Sequence, residues 1–380
     1  MSEQVLVLGG GIIGLSCAFE ALRGGASVTV IEPGYFGGQA SGAAAGMLAP
    51  FTENPEQPDA FFRLCLDSLN AYAAWASDIE AVSGIDVELQ RSGSLTVALH
   101  EADLLPLQSR MAWQQPFGAR AELVQGGRLS ELEPLLVREA LAAVYCPAEQ
   151  HVYAPKLVEA LEKACRRLGA RMVDHAGEIK VQHLTGGTGG IRIETSQAGT
   201  YNGDRLIVCA GAWACHYAEA FGMPMPIHPI RGQICAYEVP YGEVRHMVFS
   251  SQAYWVGKKN GTLVCGASED VAGYDTSVTD KGISRLKRWG PRVLPFLHDQ
   301  EPNHTWAGLR PATRDGWPLI GQLQEQPEVI IAAGHYRNGI LLSPITGQVV
   351  GDLLAGRAPA TPIEPFTPAR FAAAMGRRRA

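Results

Sequence analysis

Gly9, Gly11 and Gly14 stand in the spacing GxGxxG, between an apolar run at 5–8 and a helical pattern from Ile12 to about Arg23. Each glycine has a mechanical job. The first permits a tight turn, the second lets a pyrophosphate approach the backbone, and the third lets helix pack on strand. Phosphate oxygens then meet the N-terminus of a helix, where unpaired N–H groups and the dipole favour negative charge. A second strand pattern at 27–31 ends at Glu32, close to the separation expected for an acid that accepts from a ribose hydroxyl. GxGxxG alone says little, but strand, turn, helix, strand and acid in that order point to a bound dinucleotide.

The next segment of the chain discriminates between nucleotides. A nicotinamide dehydrogenase would continue in ordinary strand–helix repeats, whereas this chain places GGQASGAAAGMLAP at 37–50. That stretch fits no regular element. Its small side chains leave room for a large planar cofactor and offer backbone amides to its diphosphate and ring. A second glycine-rich turn, AAGHYRNGILLSPITG at 332–347, starts a helix near Gly339. Amides at that helix end would face the pyrimidine edge of a flavin and stabilise an anionic reduced ring by about 0.3–2 kcal/mol. Two helix ends, one for phosphates and one for a ring, suit FAD better than NAD.

Other chemistries lack their residues. No Ser-His-Asp or Cys-His arrangement and no paired carboxylates stand out, and hydride transfer to a flavin requires none. His335 reads as a loop histidine satisfied by backbone. Arg310, in GLRP, reads equally as a fork for a carboxylate or as an ion pair between domains. Tyr254 by itself reads as hairpin packing, Trp255, Trp306 and Trp317 as core or interface, and Lys258-Lys259 as a solvated turn. The eight cysteines form no CxxC pair and no zinc-like cluster, so reduced thiols and no metal are expected.

These residues need a framework. The first 32 residues make a strand–helix–strand unit. Residues 58–83 form one long helix with Phe62, Leu69, Tyr72 and Trp75 on its apolar face. Short elements continue to 146, including a strand at 94–99 and a capping box at Ser130 and Glu133. An amphipathic helix covers 154–168, and the strand text RLIVCAGAW at 205–213 ends at Gly211. Residues 226–267 read as strand, with Asn260-Gly261 as a hairpin turn. A buried strand at 328–334 precedes the last helix. The expectation is an α/β chain. A Rossmann-like, glutathione-reductase-like FAD-binding domain (1–85, 147–222, 305–365) interleaves with an α+β substrate domain on a mainly antiparallel sheet (86–146, 223–304). A tail occupies 366–380.

Composition agrees. The 380 residues hold 46% hydrophobic residues, enough for the two cores that such a length implies. A net charge of −6 speaks against nucleic acid or an anionic membrane as partner. The absence of a long uncharged apolar run or basic leader makes a soluble cytoplasmic protein the expectation. Glycine, at 43 residues, exceeds the average of roughly 7%, and the excess gathers in the glycine-rich loops near the two helix ends. Gly186, Gly187, Gly189 and Gly190 read as plain turns, and GRRR at 376–379 as a solvated tail.

With GGGIIG (9–14), GGQASGAAAGMLAP (37–50), VCAGAW (208–213), AGLRPATRDGWPLIG (307–321) and AAGHYRNGILLSPITG (332–347) in order along the chain, the sequence resembles the D-amino-acid oxidase family of FAD-dependent oxidoreductases. The last two motifs are far more specific than GxGxxG. The resemblance implies oxidative deamination of a small amine such as glycine, sarcosine or D-alanine. Dioxygen would reoxidise the flavin to give hydrogen peroxide, and the imine would serve the thiazole of thiamine. It implies that Arg310 grips the substrate carboxylate, that Tyr254 lines the pocket, and that the backbone of Arg337 meets the amine. Ile12, Ile13, Glu32, Pro33, Ala40, Ser41, Ala45, Gly46 and Met47 match FAD-contacting positions, and Glu178 would reach the adenine side through its backbone. His335, Tyr336, Arg337, Asn338, Gly339, Ile340 and Leu341 would flank the isoalloxazine. Relatives that hold flavin covalently use a cysteine in the C-terminal half; here the last is Cys265, so non-covalent FAD is expected. A homotetramer is also implied. One departure concerns Glu269, where the family often has an apolar or small residue; its side chain is expected to face solvent. Rival readings are an N-methyl amino-acid oxidase, a quinone-linked D-amino-acid dehydrogenase and a non-catalytic nucleotide-binding protein.

Overall fold

The computed structural model describes residues 2–54, 58–183 and 190–371. Gly186, Gly187, Gly189 and the GRRR segment lie outside the described residues. Gly190 has φ 133° and precedes the strand Ile191–Thr195.

A six-stranded sheet runs in the order Leu319–Gln322, Val329–Ala333, Arg205–Val208, Gln4–Leu8, Ser27–Ile31, Arg171–Val173. It is parallel except for the first pair. The strand Gln4–Leu8 reads VLVL without polar alternation because both its faces are buried. Val5 and Val7 pack with the helices Ile12–Arg23, Ala60–Ser83, Ala154–Arg167 and Gly339–Leu354. Leu6 and Leu8 pack on the other side with Ile191, Ile193 and Tyr201 of a three-stranded antiparallel sheet. The helix Ala60–Ser83 starts where Asp59 accepts from Phe62 N–H and stops at Gly84, whose φ of 69° lets its N–H return to Glu80.

The second sheet has eight strands, ordered His304–Thr313, Ile227–Glu238, Thr262–Gly266, Tyr254–Gly257, Met247–Phe249, Ser94–Ala98, Ala142–Cys146, Glu122–Val124. Only the Met247–Phe249 and Ser94–Ala98 pair is parallel. Its own core forms around Trp255, Tyr237 and Leu286. The strand His304–Thr313 pairs along its whole length with Ile227–Glu238. Residues 305–313, assigned by sequence to the FAD-binding part, therefore hydrogen-bond into this eight-stranded sheet.

Two local expectations are corrected. The stretch 37–50 contains a one-turn helix, Ala40–Ala43, and a two-residue strand, Met47–Leu48, that pairs with Gln150–His151. Ser130 lies inside the helix Gly126–Leu132, which Gln125 precedes, so no capping box forms there. Glu133 ends that helix, and its buried carboxylate accepts from the N–H groups of Arg245 and His246. A long-range pair of donors outcompetes the local cap.

Candidate active site

Four strands of the parallel sheet, Gln4–Leu8, Ser27–Ile31, Arg205–Val208 and Val329–Ala333, deliver the chain at their C-terminal ends into one cavity of about 1170 Å³. The crevice beyond those ends is where open α/β sheets bind ligands. Gly9, at φ 110°, makes the turn, and a side chain there would run into Cys209 O. A Cβ on Gly14 would strike Gly9 O, so the third glycine sets the closeness of helix to strand. At Gly11 the only neighbour would be Ser41 Oγ at 3.1 Å, which leaves the glycine's face open to the cavity. Ser41 Oγ accepts the Ile12 N–H at 2.9 Å, while the Gly11 N–H has no protein acceptor among the described residues. Glu32 accepts from Gly10 N–H at 2.7 Å and Gly34 N–H at 3.0 Å, which fixes its carboxylate at the cavity wall. Burial raises its pKa against the pull of those two donors.

Ala45, Gly46 and Met47 form the next wall. Gly46, at φ 79°, presses so closely on Val152 O that no side chain fits. Lys258 corrects an expectation. Instead of a solvated turn, its side chain is buried, and its ammonium donates to Ala45 O at 2.6 Å and Val152 O at 2.9 Å, with His151 Nδ1 at 3.2 Å. Burial pushes its pKa down to about 7. Lys259, in contrast, pairs with Asp86 at the surface. Sequence offered a signal for the inward lysine. Strand alternation from Tyr254 through Val256 puts Lys258 on the cavity-side face, away from Trp255.

The far end is made of side chains. Arg310 rises from the strand His304–Thr313 and lies over Gly232, where a Cβ would displace it. Its Nη1 donates to Ser268 O at 3.0 Å, and it has no ion-pair partner among the described residues. The inter-domain ion pair that sequence left open is absent there. Trp306 Nε1 donates to Ala43 O at 3.0 Å and ties the same strand to the loop at 40–44. Tyr254 is buried and lies across Gly266, its cross-strand partner; burial pushes its pKa up to about 12. His335 is buried with Nε2 at 3.1 Å from Thr346 Oγ1, a side-chain partner rather than the backbone one expected, and burial pushes its pKa down to about 3. Tyr336, at φ 46°, donates its N–H to Pro311 O, which pins the loop 335–338 to the arginine strand. The helix Gly339–Leu354 then begins at the cavity. The N–H groups of Gly339, Ile340 and Leu341 precede its first hydrogen bond, Leu342 N–H to Asn338 O.

Arg337 lines the cavity as expected, but the acids that hold its side chain were not announced by sequence. Arg337 makes a two-pronged pair with Glu53, Nε–Oε2 and Nη2–Oε1 both 3.0 Å, and its Nη1 lies 3.0 Å from Glu269 Oε1. Tyr336 Oη donates to the same Glu269 oxygen at 2.9 Å. Glu269, expected to face solvent, is exposed yet tied to the site rim. Glu53 carried no sequence signal. Glu178 lines the cavity, and its N–H is taken by Ser196 Oγ at 3.0 Å. Of the other expected contacts, Gly9, Gly11, Ile12, Ile13, Glu32, Pro33, Ala40, Ser41, Ala45, Gly46, Met47, His335, Tyr336, Arg337, Asn338, Gly339 and Ile340 line the cavity with Arg310 and Tyr254. Gly14 and Leu341 stand behind the wall.

A family model described as FAD dependent oxidoreductase matches residues 4–353. The chain belongs to this FAD-dependent oxidoreductase family. The cavity suits that cofactor: the open face of Gly11, an acid at the end of the second strand and two helix N-termini stand on one continuous wall. The oxidoreductase is 31% identical to a glycine oxidase of Geobacillus kaustophilus over 98% of both chains. It is 30% identical to the bifunctional protein ThiO/ThiG of Synechocystis sp., covering 97% of this chain and 54% of that one. The crystal structure of the Geobacillus kaustophilus glycine oxidase superposes with a TM-score of 0.90, covering 96% of this chain and 98% of that one. Among the described residues no helix is long and apolar enough to cross a membrane.

Proposed function

We propose that this oxidoreductase oxidises a small amino acid, of the class of glycine, sarcosine or D-alanine, to an imine that water converts to the oxo-acid and ammonia. The observation that carries the reading is Arg310, a cationic fork facing the cavity without an acidic partner among the described residues. A guanidinium holds a carboxylate by two parallel charge-assisted bonds, which fix orientation as well as charge. When bound, FAD supplies a two-electron acceptor, with dioxygen as the final oxidant and hydrogen peroxide as product. The side chains serve position rather than proton transfer. His335 is uncharged at neutral pH and occupied by Thr346, and Tyr254 keeps its proton and offers a hydroxyl donor over the pocket. The amides at Gly11 would hold the diphosphate and those at Gly339 and Ile340 the ring.

Non-covalent attachment is supported by the cysteines: among the described residues, the one that lines the cavity, Cys209, sits against Gly9. The similarity to ThiO/ThiG supports a role in making the thiazole of thiamine, and the family resemblance supports a cytoplasmic homotetramer. The test is to purify the protein, record its flavin spectrum and measure peroxide with glycine, sarcosine and D-alanine. Oxygen-dependent peroxide from at least one of them is expected. A preparation that binds no FAD, or that turns over none of the three, overturns the reading.

A further inference from the structure

The cavity holds two arginines with opposite circumstances. Arg310 has no carboxylate beside it, and Arg337 has two. Glu53 takes Nε and Nη2 of Arg337 and is itself nearly inaccessible, with 8% of its side chain exposed. Glu269 takes Nη1 and is held in turn by the Tyr336 hydroxyl. Glu269 follows Ser268, whose carbonyl anchors Arg310, so one short segment sets both arginines. The two cations and two anions leave this end of the cavity with no net charge. A zwitterion with one carboxylate adds none. A substrate with a second carboxylate brings an extra negative charge to a place where the second cation is already paired and two acids stand near.

We propose that Glu269, acting with Glu53, is a specificity-determining residue that makes this a one-carboxylate site. It keeps Arg337 neutralised, so that amines with one carboxylate bind through Arg310 and those with two are turned away. The inference rests on the reading that Arg310 takes the substrate carboxylate. Removing the Glu269 charge leaves Arg337 ion-paired with Glu53 alone and gives this end of the cavity one net positive charge.

The experiment uses the flavin-loaded protein and two acids that lack an oxidisable amine, acetate and malonate. Their affinities are read from perturbation of the bound flavin's absorbance. Glycine and iminodiacetate turnover is measured alongside. The wild type should bind acetate at least as well as malonate. Glu269→Gln should raise the malonate-to-acetate affinity ratio about tenfold or more, the scale of one charge-assisted hydrogen bond, and raise iminodiacetate turnover relative to glycine. Glu269→Ala should move the ratio in the same direction, which guards against an effect of the amide itself. Glu269→Asp should keep the wild-type ratio. If Arg310→Ala weakens acetate while Glu269→Gln and Glu269→Ala leave the ratio unchanged, the role of Glu269 is overturned and that of Arg310 stands. If Arg310→Ala leaves acetate binding unchanged, the underlying reading fails and the inference with it.

Discussion

The two ends of the cavity are built from different materials. At the Gly9–Met47 end the walls are mostly backbone: a glycine at φ 110°, a helix N-terminus and a loop whose Ala45 carbonyl is held by Lys258, with the Glu32 carboxylate fixed by two N–H groups. At the Arg310 end the walls are side chains, brought from residues 53, 254, 310 and 337, with Glu269 paired to Arg337 at the rim, and held by ion pairs and a tyrosine hydroxyl. A backbone wall is rigid and blind to substituents, which suits a cofactor that never changes. A side-chain wall can be altered one charge at a time, which suits a choice among substrates. Substitutions at the first end should therefore be read in cofactor content, and at the second in substrate kinetics.

The largest effect should come from Gly14→Ala. Its methyl group would collide with Gly9 O, and neither the strand nor the helix Ile12–Arg23 can yield without opening a buried core. Loss of soluble, yellow protein is expected, and a normal flavin-to-protein absorbance ratio would show that the close packing is dispensable. Gly11→Ala sharpens the comparison, since its methyl meets only Ser41 Oγ. That variant should keep its melting cooperativity without cofactor but bind FAD about tenfold more weakly or worse, because the methyl stands where phosphate approaches.

At the other end, Arg310→Ala should raise the KM for substrate roughly 10- to 150-fold, the equivalent of a charge-assisted bond of about 1.5–3 kcal/mol. Flavin content should not change. An unchanged KM would remove Arg310 from the site and dissolve the contrast between the two ends. Lys258→Met tests the backbone wall from behind. It leaves Ala45 O and Val152 O without their donor, at a cost of about 1–3 kcal/mol. Weaker FAD binding by about tenfold is expected, with KM unaltered once FAD saturates; a KM change at saturating FAD would assign Lys258 to the substrate end instead.

The same contrast explains what could be read in advance. The phosphate end is written in neighbouring residues, and its glycines, helix and acid each follow from local geometry, so Gly9 to Glu32 were legible without any relative. The arginine end joins residues 284 apart in sequence, as Arg337 meets Glu53, and no local pattern announces such a pair. The role proposed for Arg310 rests on the resemblance carried by GLRP and on its lack of an acidic partner among the described residues. Lys258 was misread because Lys-Lys-Asn-Gly looks like an exposed turn; the turn itself is there, closed by Gly261 N–H to Lys258 O, but the strand's alternation sends the first lysine inward. Glu269 is exposed as expected, yet an exposed carboxylate can still be committed to partners, here Arg337 and the Tyr336 hydroxyl.

One further buried group stands beside the Glu53 segment and should give the smallest effect. Glu149 is fully buried, accepts from Thr52 N–H at 2.7 Å and Oγ1 at 2.6 Å, and is bonded by Ser94 Oγ; Thr52 is the neighbour of Glu53. Burial raises its pKa from 4.5 to about 7, against the pull of those donors. Between these values the folded chain keeps a proton that the unfolded chain has released. Stability contributed by this group is therefore full below pH 4.5, declines as pH rises to about 7, and is flat above. Glu149→Gln mimics the protonated acid and should match the wild type in the acid range. Towards pH 8 it should become more stable than wild type by about 1–3 kcal/mol, seen as diverging melting temperatures of the FAD-loaded proteins. Parallel curves from pH 4.5 to 8 would mean that Glu149 is ionised throughout and that its N–H and hydroxyl donors offset its burial.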